Sequence, residues 1–347
     1  MKDLKKETVE KIKAGKEVTF EELKPLLRPE EIQNGVMKVD PEKCTSCGLC
    51  IQNCPFKCWE MGKKDIPRLR EGYACFSCFN CMVACPVSAV SIVQTYKVEG
   101  GFFDTGFPPV KMPQEPKDAK GKPAEWTEVE RIIMTRRSIR NFKDDPVPEP
   151  LIRRVLEAGR FAPSAGNLQP WKFTVVTDKK FINELEEICY NINAGLFNLY
   201  INDETLKDFV AVAGKPFPVA LCDWRVIVGG FGAVARKDLP IFLNAPCVIF
   251  MGGHEKLAFP DLHIGICGQN MNLTALSLGL GFCWDNFGKE VNLVPEIKAK
   301  LGFDEDWRVV STAAIGYPKF KQEGMVPRFA RPVTWFRPGS DKPQIEE

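Results

Sequence analysis

The chain has 347 residues, a length that predicts about two domains with at least one sizeable core. It carries 47 Lys and Arg residues against 45 Asp and Glu residues, so its formal net charge is only +2. This balance argues against a nucleic-acid partner bound by bulk charge and against a polybasic membrane anchor. Hydrophobic residues make up 44% of the chain and charged residues 27%, which excludes a disordered polypeptide.

The first residues of the sequence and its longest uncharged run indicate where in the cell the protein is expected. The segment MKDLKKETVEKIKAGKE is charged from its second residue and has no apolar core, which is not typical of a secretory signal. The run from Ile264 to Trp284 is uncharged but contains Gln269, Asn270 and Asn272, which are costly in hydrocarbon without partners. We interpret it as a helix buried in the protein or at a subunit interface. The sequence thus predicts no membrane association and a cytoplasmic location, where thiols stay reduced.

The N-terminal third divides into three parts. One or two amphipathic helices are predicted first, with Thr19 as the cap before FEELKPLL. A cysteine-rich region follows and ends in AVSIVQTYKV, a β-branched run typical of a strand. A Pro- and Gly-rich stretch then indicates a linker. The predicted organisation is a helical segment at 1–40, a cysteine-rich domain at 41–98, a linker at 99–125, a second domain at 126–338 and a tail at 339–347.

The second domain is predicted to alternate helices and strands. Thr127 followed by Glu130 is a capping-box pattern before the helix VERIIMTRR. Further helices are predicted in PLIRRVLEAGRFA, in KKFINELEEICYNI and in the uncharged run at 264–280. Strands are predicted in KFTVVT, APCVIFMGG and RVVSTAAIGY. This order favours an α/β or α+β layer structure, with an insertion of mixed character at 190–240.

Cysteine is the outlier of the composition, because nine of the 14 cysteines lie between Cys44 and Cys85. Eight of them form two runs of the spacing C-x2-C-x2-C-x3-C-P, which is that of bacterial two-cluster ferredoxins. In that motif the fourth Cys of each run ligates the cluster of the other run. The sequence predicts two [4Fe–4S] clusters, one on Cys44, Cys47, Cys50 and Cys85, and the other on Cys75, Cys78, Cys81 and Cys54.

Zinc and disulfides are the alternatives for these cysteines. Zinc sites usually pair two CxxC knuckles or add histidine, and no histidine falls in this region. Cys58 has no place in the repeated spacing and is interpreted as a small core residue. The five cysteines beyond residue 180 show no metal-binding spacing and are predicted to be core residues as well.

A basic segment and a polar loop are the candidate binding features of the second domain. Arg136, Arg137, Ser138 and Arg140 close the first helix with three guanidiniums and a hydroxyl, groups that suit phosphate oxygens. Alone, such a helix end is more often a solvated face that complements the helix dipole. The loop APSAGNLQPW, which begins at Ala162, adds amide and hydroxyl groups able to bond the edge of a planar heterocycle.

Four segments, RRSIRNF, APSAGNLQPW, GLGFCW and IGYPKF, occur in this order over roughly residues 126–336 and resemble the FMN-dependent nitroreductase family. With the cysteine repeat, the chain resembles the fusion of a two-cluster ferredoxin to such a domain that is found in anaerobes. The resemblance implies an α+β fold: a bacterial ferredoxin-like 2[4Fe–4S] module, then a nitroreductase-like domain with a mixed sheet flanked by helices. It also implies an obligate homodimer with FMN at the subunit interface.

The same resemblance implies the FMN contacts. The arginine segment would hold the phosphate and ribityl chain, the polar loop would contribute partly from the partner subunit, and the backbone of GLGF would face the flavin. A basic residue near the C-terminus would also approach the phosphate. The implied residues are Arg136, Arg137, Ser138, Arg140, Pro163, Ser164, Asn167, Gln169, Gly279, Gly281 and Arg328.

The implied activity is reduction of an electron-poor small molecule, such as a nitroaromatic or an activated unsaturated ring. Electrons would come from reduced ferredoxin or another low-potential donor and pass through the clusters to FMN. With only two histidines in the chain, His254 and His263, no catalytic acid–base pair is predicted. Three alternatives stay open: an adaptor that passes electrons to a protein partner, a different reaction on the same fold (reductive dehalogenation or flavin fragmentation), and a metal protein without turnover.

Overall fold

The computed structural model describes residues 2–100, 109–212, 223–322 and 324–346. Parts of the predicted linker and of the predicted insertion, 101–108 and 213–222, lie outside the described residues. The α-helices of the described ranges are α1 (Lys2–Lys13), α2 (Phe20–Leu27), α3 (Leu49–Gln52), α4 (Asn80–Ala84), α5 (Glu128–Thr135), α6 (Glu149–Arg160), α7 (Lys179–Ile201), α8 (Asp203–Val212), α9 (Gly232–Ala235), α10 (Pro260–Ser277) and α11 (Pro295–Lys300).

The strands form one larger sheet and several pairs. The larger sheet has the order β10-β11-β9-β8, and the pairs are β1 with β6, β2 with β5, β3 with β4, β7 with β12 and β13 with β14. The strands are β1 (Glu31–Gln33), β2 (Val36–Val39), β3 (Trp59–Met61), β4 (Pro67–Leu69), β5 (Val90–Gln94), β6 (Lys97–Glu99), β7 (Val110–Lys111), β8 (Trp171–Val176), β9 (Cys247–His254), β10 (Gly281–Asp285), β11 (Trp307–Gly316), β12 (Arg328–Phe329), β13 (Val333–Trp335) and β14 (Gln344–Glu346).

The four-stranded sheet is buried on both faces, which confirms the α+β class. Strand β9 is apolar over most of its length, and alternate residues serve opposite faces because side chains alternate along a strand. Ile249 and Met251 pack against α6 and α10, whereas Val248 and Phe250 pack against α7 and α11. Helix α10 contains most of the uncharged run of the sequence, and one side of it is therefore covered by the sheet and α6 of its own chain.

The sheet differs from the expected mixed sheet, because the four described strands pair antiparallel throughout. Strands β9 and β10 run in the same direction, as a strand–helix–strand crossover through α10 requires. Strand β11 lies between them and runs the opposite way, so no two parallel strands become neighbours.

The predicted cap at Thr19 and the predicted capping box at Thr127 are both confirmed, and Thr19 also forms a capping box with Glu22. At the start of α2 the backbone N–H of Glu22 donates to Thr19 Oγ1 (3.3 Å), and at the start of α5 that of Glu130 donates to Thr127 Oγ1 (3.3 Å). Helix α5 ends at Thr135, so the arginine segment lies beyond the helix rather than in its last turn. This extended course lets the segment run beside the sheet.

The cysteine-rich module is built from three antiparallel strand pairs and the two short helices α3 and α4. Strands β1 and β2 precede residue 41 and pair with β6 and β5, respectively. These two strand pairs therefore extend across the domain boundary that the sequence predicts at residue 41. The predicted C-terminal strand is divided in two, β5 and β6, by a break at residues 95–96.

The N-terminal helices and the predicted insertion cover each other. Helix α7 continues to Ile201, well past its predicted end, and packs with α1, α2 and the π-helical segment Arg225–Phe231. The hydroxyl of Tyr200 donates to the carbonyl oxygen of Leu27, and Asp203 forms ion pairs with cations of α2. The insertion therefore connects the N-terminal helices to the second domain.

A C-terminal arm (residues 324–329) returns to the cysteine-rich module. Val326 is buried in the module's own core beside Cys50 and Cys54, and β12 pairs with β7. Just before the arm, Gln322 Nε2 donates to Asn53 Oδ1 (2.5 Å). The segment that follows β11 is thus packed against the cysteine-rich module. Among the helices in the described ranges, none combines the length and apolar character that spanning a membrane requires.

Candidate cofactor sites

The first predicted set of thiols lies around one small space. Cys44, Cys47, Cys50 and Cys85 together line a cavity of about 20 Å³. The backbone N–H of Ala89 donates to the Sγ of Cys85 (3.1 Å), which fixes the position of that sulfur. In the described ranges no three His, Cys, Asp or Glu side chains are placed to hold a single metal ion. The structure thus places Cys85 of the second run with three thiols of the first.

The second set is Cys54, Cys75, Cys78 and Cys81, whose ionisations are linked. Burial raises the pKa of Cys81 well above its usual range, and the neighbouring Cys78, Cys75 and Cys54 raise it further. Burial also raises the pKa of Cys78 to about 11, and Cys54 and Cys75 add to that rise. Each set therefore offers four thiols and no imidazole, the donor chemistry of a [4Fe–4S] cluster.

Cys58 is buried, as predicted, but it also contacts two members of the second set. Its Sγ lies 3.4 Å from the carbonyl oxygen of Ala74, and its backbone N–H donates to the Sγ of Cys54 (3.3 Å). A hydrogen bond from the Cys58 thiol is the largest cause that lowers the pKa of Cys54, to about 6. The same thiol lowers the pKa of Cys75. Cys58 thus supports the ligand loops.

Three guanidiniums form a cationic cluster. Arg136 and Arg137 follow α5, and Arg328 lies almost 200 residues later in the C-terminal arm. Burial lowers the pKa of Arg136, and the positive charge of Arg328 lowers it further. Burial lowers the pKa of Arg137 to about 10, with Arg328 and Arg136 adding to the shift. Within the part of the chain that the structure describes, no acidic side chain forms an ion pair with any of the three. Partly buried cations that repel one another fit a site for a phosphate group.

Arg137 differs from its two neighbours because it is committed to the backbone. Its Nη1 donates to the carbonyl oxygens of Arg136 (2.6 Å) and Met134 (3.2 Å), and its Nη2 donates to that of Gly324 in the arm. Its Nε is buried with no partner among the described residues. Arg137 therefore ties the end of α5 to the C-terminal arm, while Arg136 and Arg328 keep their donors for a ligand.

The glycine-rich segment that precedes β10 lies beside the arginine segment. The backbone N–H of Ile139 donates to the carbonyl oxygen of Phe282 (3.2 Å). A Cβ on Gly281 would lie 2.8 Å from the Ile139 side chain, so glycine permits this close approach. Gly279 has a φ of +74°, which suits the turn into the strand. The structure thus brings Gly281 next to Ile139 of the arginine segment, and Gly279 lies two residues earlier in the turn that leads into β10.

The polar loop is compact and lies against α10. The backbone N–H of Gln169 donates to Ser164 Oγ (3.0 Å), and its side-chain Nε2 donates to Asn167 Oδ1 (3.2 Å). The neighbouring amide of Ala165 donates to Nε2 of His263 (3.3 Å). The loop is therefore held in one conformation by its own side chains.

Within one chain the polar loop and the arginine segment stay apart. Pro163 opens the loop and is exposed, and Gln169 lines a surface cavity beside α6. No hydrogen bond among the described residues connects the loop to Arg136, Ser138 or Arg140. Within the described part of one protomer, the two sets of predicted FMN contacts are thus not hydrogen-bonded to each other.

Arg140 lies where the cysteine-rich module meets the second domain. Its positive charge lowers the pKa of Cys78 in the module and that of Cys283 in the second domain, opposing burial, which raises both. A cavity of about 490 Å³ lies between the two parts, and both Arg140 and Cys54 line it. The second set of thiols and the arginine segment therefore share one environment.

Two buried titratable groups lie near Arg140: Cys283, which was predicted as a core residue, and Asp285, which sequence reasoning missed. Cys283 accepts a hydrogen bond from Ser138, and burial raises the pKa of Asp285 to about 7. The backbone N–H of Phe287 donates to Asp285 Oδ1 (2.9 Å). The available signal was the acidic residue that closes the apolar strand GFCWD, since a buried carboxyl that titrates near neutrality is typical of functional sites.

Comparisons with known proteins identify the family of the second domain and the type of the first. The family model described as the nitroreductase family matches residues 133–317, and a 4Fe-4S binding domain model matches residues 37–60. A 5,6-dimethylbenzimidazole synthase of Rhodospirillum rubrum is 40% identical over 210 residues, 58% of this chain and 87% of that protein. A nitrobenzene nitroreductase of Ectopseudomonas oleovorans is 24% identical over 203 residues, 54% of this chain and 86% of that protein.

Among solved structures, a nitroreductase with bound FMN from Bacteroides fragilis has 24% identity and a TM-score of 0.43 over 58% of this chain and 95% of that one. The nitroreductase model covers more than half of the present sequence, and the ferredoxin-type match precedes it in the chain. The chain therefore belongs to the nitroreductase family, as a fusion with an N-terminal 4Fe–4S ferredoxin-type domain.

Proposed function

We propose that this FMN-dependent oxidoreductase takes electrons from reduced ferredoxin or another low-potential donor and reduces an electron-poor small molecule, with two [4Fe–4S] clusters between donor and flavin. The observation that carries the proposal is the cavity whose wall contains both Cys54 and Arg140. It supports close approach of a cluster site to the flavin site within one chain. The bound cofactors would join a one-electron donor to a two-electron reduction.

The residues of the chain would bind and orient these groups. Arg136 and Arg328 would neutralise the FMN phosphate, and Ser138 and Arg140 would contact the ribityl chain. Arg137 would hold the arm that carries Arg328. A nitro group that becomes a nitroso group takes up two electrons and two protons and releases water, so the site must also supply protons.

The positions of the two thiol sets support an order for electron transfer. Cys78 lies near Arg140, so the set that contains it faces the flavin domain. Cys47 belongs to the other set and is exposed, so that set faces a donor. We therefore place the set of Cys44, Cys47, Cys50 and Cys85 on the donor side.

We further propose that the active form is a homodimer in which the polar loop of one subunit completes the flavin site of the other. The exposed side of α10 carries Leu262, and the neighbouring Phe161 and Leu168 are largely exposed as well. An apolar surface of this kind is typical of a subunit interface. This arrangement also explains why the loop and the arginine segment do not meet within one protomer.

A subunit-complementation experiment tests the shared site. Two homodimeric variants are made first, one carrying Arg136→Gln and the other carrying Asn167→Ala with Gln169→Ala. Each should bind FMN about tenfold to a hundredfold more weakly than the parent, because a charge-assisted or buried hydrogen bond is lost. A hybrid dimer with one subunit of each variant, purified through two different tags, should have one intact FMN site. That site combines the unchanged Arg136 of one subunit with the unchanged loop of the other. The measurement is FMN content by absorbance after dialysis.

The matched control for this experiment is a doubly tagged dimer with Arg136→Gln in both subunits, which should regain nothing. If the loop served its own subunit's site, both sites of the hybrid would be defective and FMN content would stay low. A protein that remains monomeric with FMN bound would also contradict the shared site.

The proposed activity is tested with the anaerobically purified holoprotein alone. With chemically reduced ferredoxin as the only donor, nitrobenzene should be consumed and its reduction products should accumulate. Failure to reduce any small molecule, together with rapid reduction of a redox protein such as cytochrome c, would contradict the proposal and favour the adaptor.

A second candidate function rests on one observation. The relative from Rhodospirillum rubrum with 40% identity is a 5,6-dimethylbenzimidazole synthase, so flavin fragmentation remains the competing reaction on this fold. The same preparation, supplied with reduced FMN and air, discriminates the two. Loss of flavin with formation of 5,6-dimethylbenzimidazole would favour the second candidate, and stable flavin would favour the first.

A further inference from the structure

The cavity between the ferredoxin-type domain and the nitroreductase domain is unusually rich in cations. Its five basic lining residues come from five separate parts of the chain, and the lining contains only two acidic residues, Asp144 and Asp238. Asp238 is already paired with Arg236 (3.1 Å between Oδ2 and Nε). The basic lining residues are Lys57, Arg140, Lys179, Lys237 and Lys319.

These cations have few partners of their own. Within the described ranges none of them forms an ion pair, although Lys237 Nζ lies 4.6 Å from the centre of the Tyr190 ring. Arg140 donates only to the backbone oxygen of Ser138 (3.4 Å). Like charges gathered around one cavity repel one another, and an anion in that cavity would relieve the repulsion.

Part of the remaining wall of the cavity is apolar. Phe142, Leu239, Pro240 and Leu243 line this part, and Phe142, Leu239 and Leu243 belong to one buried or half-buried cluster. The amide side chains of Gln52, Asn53, Asn141 and Asn244 line the rest. A volume of about 490 Å³ lies in the range of small-molecule pockets. The cavity thus combines a small apolar patch with amides and several cations, which is the complement of a small unsaturated or aromatic body that carries a negative group.

We propose that this cavity binds the substrate and that the substrate is an organic anion, whose negative group is held by Lys57, Lys179 and Lys319. This inference rests on the proposed function, because Arg140 places the flavin site at the same cavity. It adds a role for the ferredoxin-type domain, which supplies Lys57 and so takes part in substrate recognition. Docking of that domain would then complete the substrate pocket.

Binding of a non-reducible probe tests the proposal without any turnover. Benzoate and its neutral analogue benzamide are titrated into the FMN- and cluster-loaded protein, and the dissociation constants are measured by calorimetry. Benzoate should bind more tightly than benzamide. Raising the salt concentration should weaken the binding of benzoate but not of benzamide, because salt screens the charge of the lysines. Equal affinities for the two probes would overturn the proposal.

Matched lysine variants locate the anion. Lys57→Gln and, on the other domain, Lys319→Gln should each weaken benzoate about threefold to fivefold, as expected for a partly solvated charge pair, with benzamide unchanged. Lys63→Gln removes an exposed lysine of the same domain outside the cavity and should change neither probe. Unchanged benzoate affinity in both cavity variants, with FMN and iron contents intact, would contradict the site.

The outcomes separate this inference from the proposed function. Benzoate binding that depends on Lys57 and Lys319, in a protein that reduces no nitro compound, would leave the anion site standing and remove only the activity. If Lys57→Gln lowered FMN content instead and benzoate did not bind, the cations would serve the cofactor, and the substrate site would be overturned.

Discussion

Replacing Cys85 with alanine should remove about four of about eight iron atoms per chain, because this residue completes one of two four-iron clusters. The cluster lost should be the one whose other ligands belong to the first cysteine run. The structure supports this expectation, since Cys85 lines the same small cavity as Cys44, Cys47 and Cys50. Iron and acid-labile sulfide are measured after anaerobic purification.

Double variants reveal which thiols share a cluster. Cys47→Ala combined with Cys85→Ala should lose no more iron than either change alone, because both remove the same cluster. Cys78→Ala combined with Cys85→Ala should lose nearly all iron, because the two changes remove different clusters. Cys267→Ala, a buried thiol of α10 far from both runs, should retain the full iron content.

The opposite pattern would contradict crossed ligation. If Cys47→Ala with Cys85→Ala emptied both sites, while Cys78→Ala with Cys85→Ala kept half of the iron, each run would bind its own cluster. Zinc in place of iron in the parent protein would refute iron–sulfur clusters altogether.

The second large effect concerns the speed of flavin reduction. Cys47→Ala should slow reduction of FMN by reduced ferredoxin by an order of magnitude or more, because Cys47 belongs to the exposed thiol set that we place on the donor side. FMN content should stay unchanged, since none of the residues proposed for FMN precedes Arg136. Stopped-flow absorbance of the flavin measures the rate.

Cys267→Ala is again the matched control, because it removes a buried thiol of the flavin domain without touching a cluster ligand. Its rate should equal that of the parent protein. Equal rates in parent and Cys47→Ala would mean that the clusters take no part in flavin reduction, and the relay would have to be abandoned even with both clusters present.

Local features of the structure were accessible from the sequence because each depends on neighbouring residues. The cap at Thr19, the capping box at Thr127 and the apolar strand β9 follow from short patterns, and these predictions are confirmed. The placing of Cys54 with the second run follows from a spacing rule, and it stays a prediction until iron is measured. Patterns of this kind need no knowledge of distant contacts.

Features that depend on distant contacts were not accessible. Arg137 and Arg136 look equivalent in the sequence, yet Arg137 is committed to the carbonyl oxygen of Gly324, a residue of the arm. Gly281 resembles a residue kept small for a ligand, but the Ile139 side chain already requires a glycine there. The cationic cavity likewise joins lysines from separate segments, which no local pattern brings together.

The C-terminal arm has a consequence for the order of synthesis. The ferredoxin-type domain leaves the ribosome before the nitroreductase domain, but its core includes Val326 and its neighbouring strand pair includes Arg328, both of which follow the nitroreductase domain in the chain. An emerging chain therefore cannot finish this core until the whole nitroreductase domain has been translated, because the closing contact is non-local. During that interval the cysteine loops lack part of their cover, which leaves them accessible for cluster assembly until the arm arrives.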